Sequence, residues 1–591
     1  MPSKLLLLLM LLAPAATQPP PPPPDVAETV GRLLDVAALL HGSNAALGPY
    51  ERQQLQAAQA AQQRQLNADW ASRPNLLLLF PDEWRYDWDT FHGPGIPLRM
   101  PVFRELAARG TRFAHAVVPS PLCAPSRAAL AAGKEYDHSG VLQNKDGDYD
   151  TNQTTWYRLL RDVAGYHTLT AGKDDLTKTS KLGALSMPPA APDGSYHQWE
   201  LGFSAGARTV GKDDFCGSIN KHLGAHDPYG LWLRNQTARR RDGSVLSGFD
   251  AVCACYRLAD ADKDKTKKHD RKDCDAVSFA DELYWDTFIT QRAVQLLRDS
   301  QPESPPWFLQ VNWMDPHPPF AVTSRMAARV AGRRWPTSID PGKKTKETDV
   351  CDNQPGGVGI GTGWERCNYG AELENLDALF GEVLGAVGEE AMTKTVVCVS
   401  SDHGEMLGDH GDTAKSRPWE PSAVVPLVCA GPGIASGRTV SVPVATLDLA
   451  GTFLDFAGVA SAGAVLPVPM TTMSLRGLME GREAAVASYR PHVSCGLTKW
   501  RMAVRRNPAD GQIYKLVCSN GSFWGPPSTI PPAIRPGGDK GGGIFRVLYN
   551  ASGDPSDMRE MSHSGAAGAA AMVREMLPLL PPDFAKLCAW Q

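Results

Sequence analysis

The sequence predicts an α/β protein: a large, mostly parallel sheet sandwiched between helices, followed by a smaller C-terminal α+β subdomain. Three observations predict it. Short apolar runs of strand length recur along the chain, and helical patterns separate them. Acidic or histidine residues follow several of these runs at comparable offsets.

In chain order, the first run is "RPNLLLLF" (Arg73–Phe80), bounded by prolines, as expected of a strand buried on both faces. "WFLQVNW" (Trp307–Trp313), "KTVVCVSS" (Lys394–Ser401) and "VVPLVCAG" (Val424–Gly431) read the same way. Helical patterns fall at Pro101–Arg109, Ala124–Ala132, Thr155–Ala164, Leu283–Arg298 and Ala371–Val387. After about Gly463 the pattern changes to short strands, Gly/Pro turns and a final helix near Ala566–Leu577. The expected organisation is a signal peptide over 1–17, a Pro-rich spacer and helical extension over 18–72, a catalytic domain over 73–462, and a C-terminal subdomain over 463–591. Lys4, the apolar run Leu5–Leu12 and the small residues after it form the signal-peptide pattern, too short to span a bilayer.

The chain has 591 residues, 42% hydrophobic, enough for a large core, and its net charge of −4 provides no field for nucleic acid. No stretch is long enough to span a membrane. Twelve cysteines suit an oxidising compartment, and sequons at Asn152, Asn235, Asn520 and Asn550 offer glycosylation sites. These features point to the secretory pathway: an extracellular, periplasmic or cell-wall, or lysosome-like location. Cys398 and Cys429 sit inside apolar runs and read as buried thiols. Cys253, Cys255 and Cys274 read as disulfide partners of Cys216, Cys351 or Cys367 rather than zinc ligands.

In open α/β sheets, ligands bind beyond the carboxyl ends of the strands. Asp82–Glu83, Asp315–His317 and Asp402–His403 follow three apolar runs, so all could meet at one rim. Asp82, Glu83 and Asp402 are hard oxygen donors of the kind Ca2+ or Mg2+ takes, whereas His403 suits transition metals better. A single Asp-Glu pair after a strand also serves as a helix cap. Cys123 opens a helix with Arg127 one turn on, so a helix N-terminus and a guanidinium would face an anion beside the sulfur. The other reading of such a cysteine is a disulfide.

The stretch "CAPSRAALAAGK" resembles the sulfatase pattern C-x-P-S-R, a leucine, then G-K or G-R. "RPNLLLLFPDEWRYD", "GYHTLTAGKDDL", "DPHPPF", "SDHGEMLGDHG", "KSRPWEPSAVVPLVCAGPGI" and "VLYNASGDPSDMREM" resemble further motifs of that family, in its order, from about Arg73 to Met561. The resemblance implies an alkaline-phosphatase-like fold and a sulfatase that hydrolyses sulfate monoesters, an aryl sulfate or a sulfated sugar such as a uronate sulfate. It implies that Cys123 is converted to Cα-formylglycine by a formylglycine-generating enzyme. One hydroxyl of the hydrated aldehyde would attack sulfur, and the other would then expel sulfate.

The same resemblance implies a divalent metal, Ca2+ in preference to Mg2+, on Asp82, Glu83, Cys123, Asp402 and His403. Lys173 and Lys415 would bind the sulfate group, with Lys415 at the leaving oxygen. Arg127 would hold the diol and the metal carboxylates, and His317 would be the acid–base partner. Two positions depart from the common pattern. His403 replaces an asparagine, which leaves the metal open. Asp175 replaces a histidine that acts on the diol, so Asp175 takes that role or the role is unfilled. Competing readings are a phosphoesterase or phosphonate ester hydrolase of the same superfamily, and an inactive homologue that binds sulfated glycans.

Overall fold

The computed structural model describes residues 73–91, 95–146, 148–176, 199–215, 227–239, 243–253, 281–300, 306–339, 362–459, 470–520, 544–553, 557, 560–561 and 568–589. The expected signal peptide and the 18–72 extension lie outside them, as do Cys216, Cys255, Cys274 and Cys351.

A nine-stranded sheet forms the centre. Its strands are β1 (Asn75–Leu79), β2 (Thr111–Val117), β3 (His167–Gly172), β4 (Ala205–Arg208), β7 (Trp307–Asn312), β8 (Thr395–Val399), β9 (Val424–Ala430), β10 (Arg438–Val440) and β11 (Val444–Ala445). The order is β10-β2-β9-β8-β1-β7-β3-β4, with β11 also on β2; a two-stranded ribbon, β5 (Thr237–Arg239) and β6 (Val245–Ser247), stands apart. Strand β1 shows why the run is apolar throughout. Leu76 and Leu78 pack into the core on one face, Leu77 and Leu79 into the core on the other. Burying each such leucine contributes about 1.5–3 kcal/mol.

Helices cover both faces, among them α1 (Pro101–Arg109), α2 (Cys123–Ala132), α3 (Trp285–Asp299), α4 (Thr362–Val387) and α5 (Asp448–Phe456). A second sheet, β12 (Val493–Leu497), β13 (Trp500–Arg506), β14 (Ile513–Ser519) and β15 (Phe545–Asn550), is antiparallel throughout. Helices α6 (Ala569–Met576) and α7 (Pro582–Cys588) cover one of its faces. The helix expected near Ala566–Leu577 is α6, but it is not the final one: Pro581 and Pro582 start a further helix, α7, after it.

One strand runs against the rest. Strand β9 pairs antiparallel with both β8 and β2, whereas β1 pairs parallel with β7 and β8, and β3 with β7. The carboxyl ends of β1, β2, β3, β7 and β8 therefore share one rim with the amino end of β9. Residues 400–423 leave the sheet and return to it at that rim.

This reversal also corrects a sequence reading. Cys398 and Cys429 are not thiols: they are register partners across β8 and β9 and form a disulfide, with Cα atoms 4.2 Å apart. The apolar runs revealed their burial, but only the antiparallel pairing sets them face to face. Cys518 and Cys588 join β14 to α7, Cys253 and Cys367 are each disulfide-bonded, and Cys123 and Cys495 are buried and free among the described residues.

Candidate active site

Each strand end delivers its chemistry to the rim. Asp82 and Glu83 follow β1, Cys123 and Arg127 sit on α2 after β2, and Lys173 and Asp175 follow β3. His317 follows β7, Asp402 and His403 follow β8, and Lys415 precedes β9. Backbone bonds lock these loops together: the Asp82 N–H donates to Asp315 O (3.1 Å), Lys173 N–H to Asn312 O (3.0 Å) and Ser416 N–H to Pro121 O (3.0 Å). Helix α2 ends at Gly133, whose φ of +61° is the left-handed cap that glycine tolerates. Gly404, beside His403, has no room for a side chain, since a Cβ there would lie 2.0 Å from Pro421 O. Glu83, Asp175 and Ser416 adopt positive φ values of 69°, 52° and 77° without being glycine, a conformation that costs energy and persists only where the surroundings impose it.

The side chains converge in a buried cluster, with Asp82, Glu83, Asp402 and His403 fully buried. Cys123 Sγ lies 3.1 Å from His403 Nε2. His403 Nε2 in turn stands 3.7 Å from both Asp82 Oδ1 and Asp402 Oδ2. Arg127 Nε donates to Asp402 Oδ2 (2.8 Å), and its Nη1 donates to Lys173 O (2.7 Å) and Asn312 Oδ1 (3.1 Å). Lys173 Nζ pairs with Asp82 Oδ2 and lies 3.3 Å from Asp175 Oδ2. Lys415 Nζ donates to Glu83 Oε2 (2.6 Å) and lies 2.5 Å from His317 Nε2.

The field of this cluster sets its protonation. Burial alone would raise the Asp82 carboxyl, but Lys173, His317 and Arg127 outweigh it and hold Asp82 well below the usual range. Burial also opposes ionisation of the Cys123 thiol, yet Lys173 and Lys415 bring it below its ordinary value. Burial, with the Lys415 charge beside it, keeps His317 neutral. Its Nδ1 then donates to Pro318 O, leaving the Nε2 lone pair to accept from Lys415. Burial drives Glu83 well above the carboxylate range despite Lys415, and Glu405 adds to the rise.

The donor set fits a divalent cation. Ligand atoms of Asp82, Cys123, Asp402 and His403 lie within 4.8 Å of one another, as do those of Asp82, Glu83 and His317. Asp82 Oδ1 and Glu83 Oε1 are buried without a hydrogen-bond partner, as expected of oxygens that face a metal. Carboxylates suit Ca2+ or Mg2+, and His403 adds one softer ligand.

The sequence reading missed several supporting residues. Asn312 accepts from Arg127, and Ser126 Oγ donates to Asp402 O (2.6 Å). Glu405 accepts the Leu407 and Ala414 N–H groups and so ties the Lys415 loop to the β8 loop. Lys212, Tyr284 and Trp285 hold Asp315, two residues before His317. Glu405 was visible in "SDHGE", but nothing in a lone carboxylate's spacing tells which backbone it caps. Of the sequon residues, Asn152, Asn235 and Asn520 are exposed and Asn550 is half-buried.

Fold and site together define an alkaline-phosphatase-like α/β protein whose rim gathers lysines beside buried carboxylates and histidines that could hold a metal ion. The Sulfatase family profile matches residues 74–459. The chain belongs to the sulfatase family and is a sulfuric ester hydrolase. It is 28% identical to the choline-sulfatase of Rhizobium meliloti (strain 1021) over 459 residues, covering 73% of this chain and 78% of that one. It is 26% identical to arylsulfatase K of Danio rerio over 399 residues, covering 67% of each chain. Human arylsulfatase K is 25% identical over 390 residues, covering 66% of this chain and 64% of that one. The chain thus spans about two thirds of the arylsulfatase K sequences. Among solved structures, a complex with the substrate D-glucosamine-2-N,6-O-disulfate superposes with a TM-score of 0.58 at 17% identity, covering 87% of this chain and 98% of that one. The phosphonate monoester hydrolase of Agrobacterium radiobacter superposes with a TM-score of 0.56 at 19% identity, covering 86% and 95%. At these identities the superpositions speak to the fold alone. Among the described residues, no helix is long and apolar enough to cross a membrane.

Proposed function

We propose that the protein hydrolyses sulfate monoesters through a formylglycine made from Cys123, with Ca2+ in preference to Mg2+ at the strand-end acids. One observation carries the reading: Cys123 opens a buried helix in contact with His403, and two carboxylates and two lysines ring the same point. Asp82, Glu83, Asp402 and His403 would hold the cation. When bound, it would neutralise sulfate oxygens and acidify a coordinated hydroxyl. The hydrated aldehyde at position 123 would supply the nucleophilic oxygen.

The remaining work falls to this chain's own side chains. Lys173 and Lys415 bring ammonium donors to the sulfate oxygens, with Lys415 on the leaving-group side. Arg127 spans Asp402 and the Lys173 backbone and fixes the direction in which both point. His317, neutral with Nε2 toward Lys415, is the acid–base partner at the leaving oxygen. Asp175, beside Lys173, is the candidate for the position usually held by histidine.

The substrate is an aryl sulfate or a sulfated sugar such as a uronate sulfate, a class supported by the names of the arylsulfatase relatives and by the sulfated sugar in the superposed complex. The signal-peptide pattern and the sequons support maturation in the secretory pathway, where a formylglycine-generating enzyme would act before folding closes the site. The catalytic domain is taken as 73–462 and the C-terminal subdomain as 463–591.

The test is the mass of the proteolytic peptide containing residue 123, together with turnover of an aryl sulfate and the matching aryl phosphate. Conversion of the thiol to an aldehyde with faster sulfate turnover supports the reading. Faster phosphate or phosphonate turnover transfers it to the phosphoesterase alternative. An unconverted cysteine without turnover leaves the glycan-binding homologue.

A further inference from the structure

The Lys415 loop is anchored from an unexpected side. Lys515 lies on β14 of the C-terminal sheet and is completely buried. Its Nζ donates to Glu420 Oε1 (3.0 Å) and pairs with Asp557. Asp557 Oδ2 also accepts the Glu420 backbone N–H (2.9 Å), and His115 Nε2 lies 3.4 Å from Glu420 Oε2. The Trp419 and Tyr549 rings meet edge-on at 5.6 Å, and Lys515 Nζ sits 5.9 Å and 5.4 Å from their centroids. Glu420 is five residues after Lys415 on the segment that enters β9.

A solvent-exposed ion pair would contribute little. Here, however, a lysine and two carboxylates have been taken out of water, where each charge holds the others in one geometry. The same sheet reaches the nucleophile's approach too, since Gly496 N–H on β12 donates to Pro119 O (3.0 Å) four residues before Cys123. Ser416 N–H then closes the circuit on Pro121 O.

We propose that Lys515, Asp557 and Glu420 are positioning residues: the C-terminal sheet acts through them to place the Lys415 ammonium. This rests on Lys415 having the role given to it above. A misplacement of about 1 Å costs on the order of 100-fold in rate, so loosening this anchor reduces turnover without touching any group that contacts substrate.

The test is a double-mutant cycle in the full-length protein, with thermal melting to establish that each variant is folded. Asp557→Asn keeps an oxygen for the Glu420 N–H and removes the charge facing Lys515. Expected is a loss of about 10- to 100-fold in kcat with little change in KM. In a Lys415→Ala background the same substitution is expected to cost nothing further, because the group it positions is gone. Glu420→Gln, which leaves the Lys515–Asp557 pair intact, should give a smaller loss of the same kind and carries the test if Asp557→Asn does not fold. Wild-type kcat in a folded variant, or losses that multiply in the double variant, overturns the proposal. An unimpaired Lys415→Ala overturns the role of Lys415 first and the anchor with it. An impaired Lys415→Ala with multiplying losses overturns the anchor alone.

Discussion

Two buried charge clusters lie one loop apart beneath the rim, and they are finished differently. Around Asp409, Oδ2 accepts from Arg85 (2.7 Å), while Oδ1 accepts from Arg366 (2.6 Å) and the Ile339 N–H (2.8 Å). Arg85 spends its other donors on Asp87 and on Glu405 and Met406 carbonyls, and Arg366 on Leu407 and Pro336 carbonyls. Burial would raise Asp409, but the two guanidinium groups overcome it and keep the carboxyl below its ordinary value. Around Asp82 the same residue types leave atoms over: Asp82 Oδ1, Glu83 Oε1 and Arg127 Nη2 have no hydrogen-bond partner. A buried cluster whose charged groups are all bonded to one another and to nearby carbonyls holds loops together. One that keeps some in reserve, around a shared point, is set up for something that arrives later.

The sharpest way to break this contrast is to remove the group at that point. Cys123→Ala is expected to cut aryl sulfate turnover by at least about 10^4-fold, the scale of losing a nucleophile, with the melting temperature nearly unchanged. Asp409→Asn should do the reverse. Loss of a partner in a buried ion cluster costs about 3–5 kcal/mol of stability, read by denaturant titration, while kcat per folded molecule stays within a few-fold. A large fall in kcat there would erase the distinction between the clusters.

Lys415→Ala and Lys173→Ala are each expected to lower kcat by about 10^2- to 10^3-fold, as loss of a donor to developing charge does. Stopped assays on an aryl sulfate would measure this. The smallest effect is on stability after chelation. With cation at about 100 times its Kd, bound metal stabilises the fold by about 2.7 kcal/mol. A chelator should therefore lower both melting temperature and turnover, and Ca2+ should restore both; an unchanged melt with intact activity would rule out the cation at Asp82.

The sequence made much of this rim legible because strand-end chemistry is local. "LLLLFPDE" and "VVCVSSDH" each carry a buried strand and its acids within a few residues, and the helical pattern Ala124–Ala132 behind Cys123 is local in the same way. What stayed hidden depends on pairing between distant segments. "VVPLVCAG" is apolar whichever way it runs, so the direction of β9, and with it the Cys398–Cys429 bond, could not be read. Nothing in the sequence around Lys515 marks it out, because the carboxylates that neutralise it are 95 and 42 residues away. Glu405 and Asn312 likewise act on loops far from them in sequence.

The bond across β8 and β9 turns residues 398–429 into a covalent hoop, its closing cysteines separated by 31 positions in sequence. Asp402, His403, Lys415 and Glu420 all ride on that hoop. In the chain-entropy view, closing a ring of that length removes about 4 kcal/mol of disorder from the unfolded chain. Synthesis under reducing conditions would forfeit that help in a stretch that carries Asp402, His403, Lys415 and Glu420, so heterologous production belongs in an oxidising host compartment.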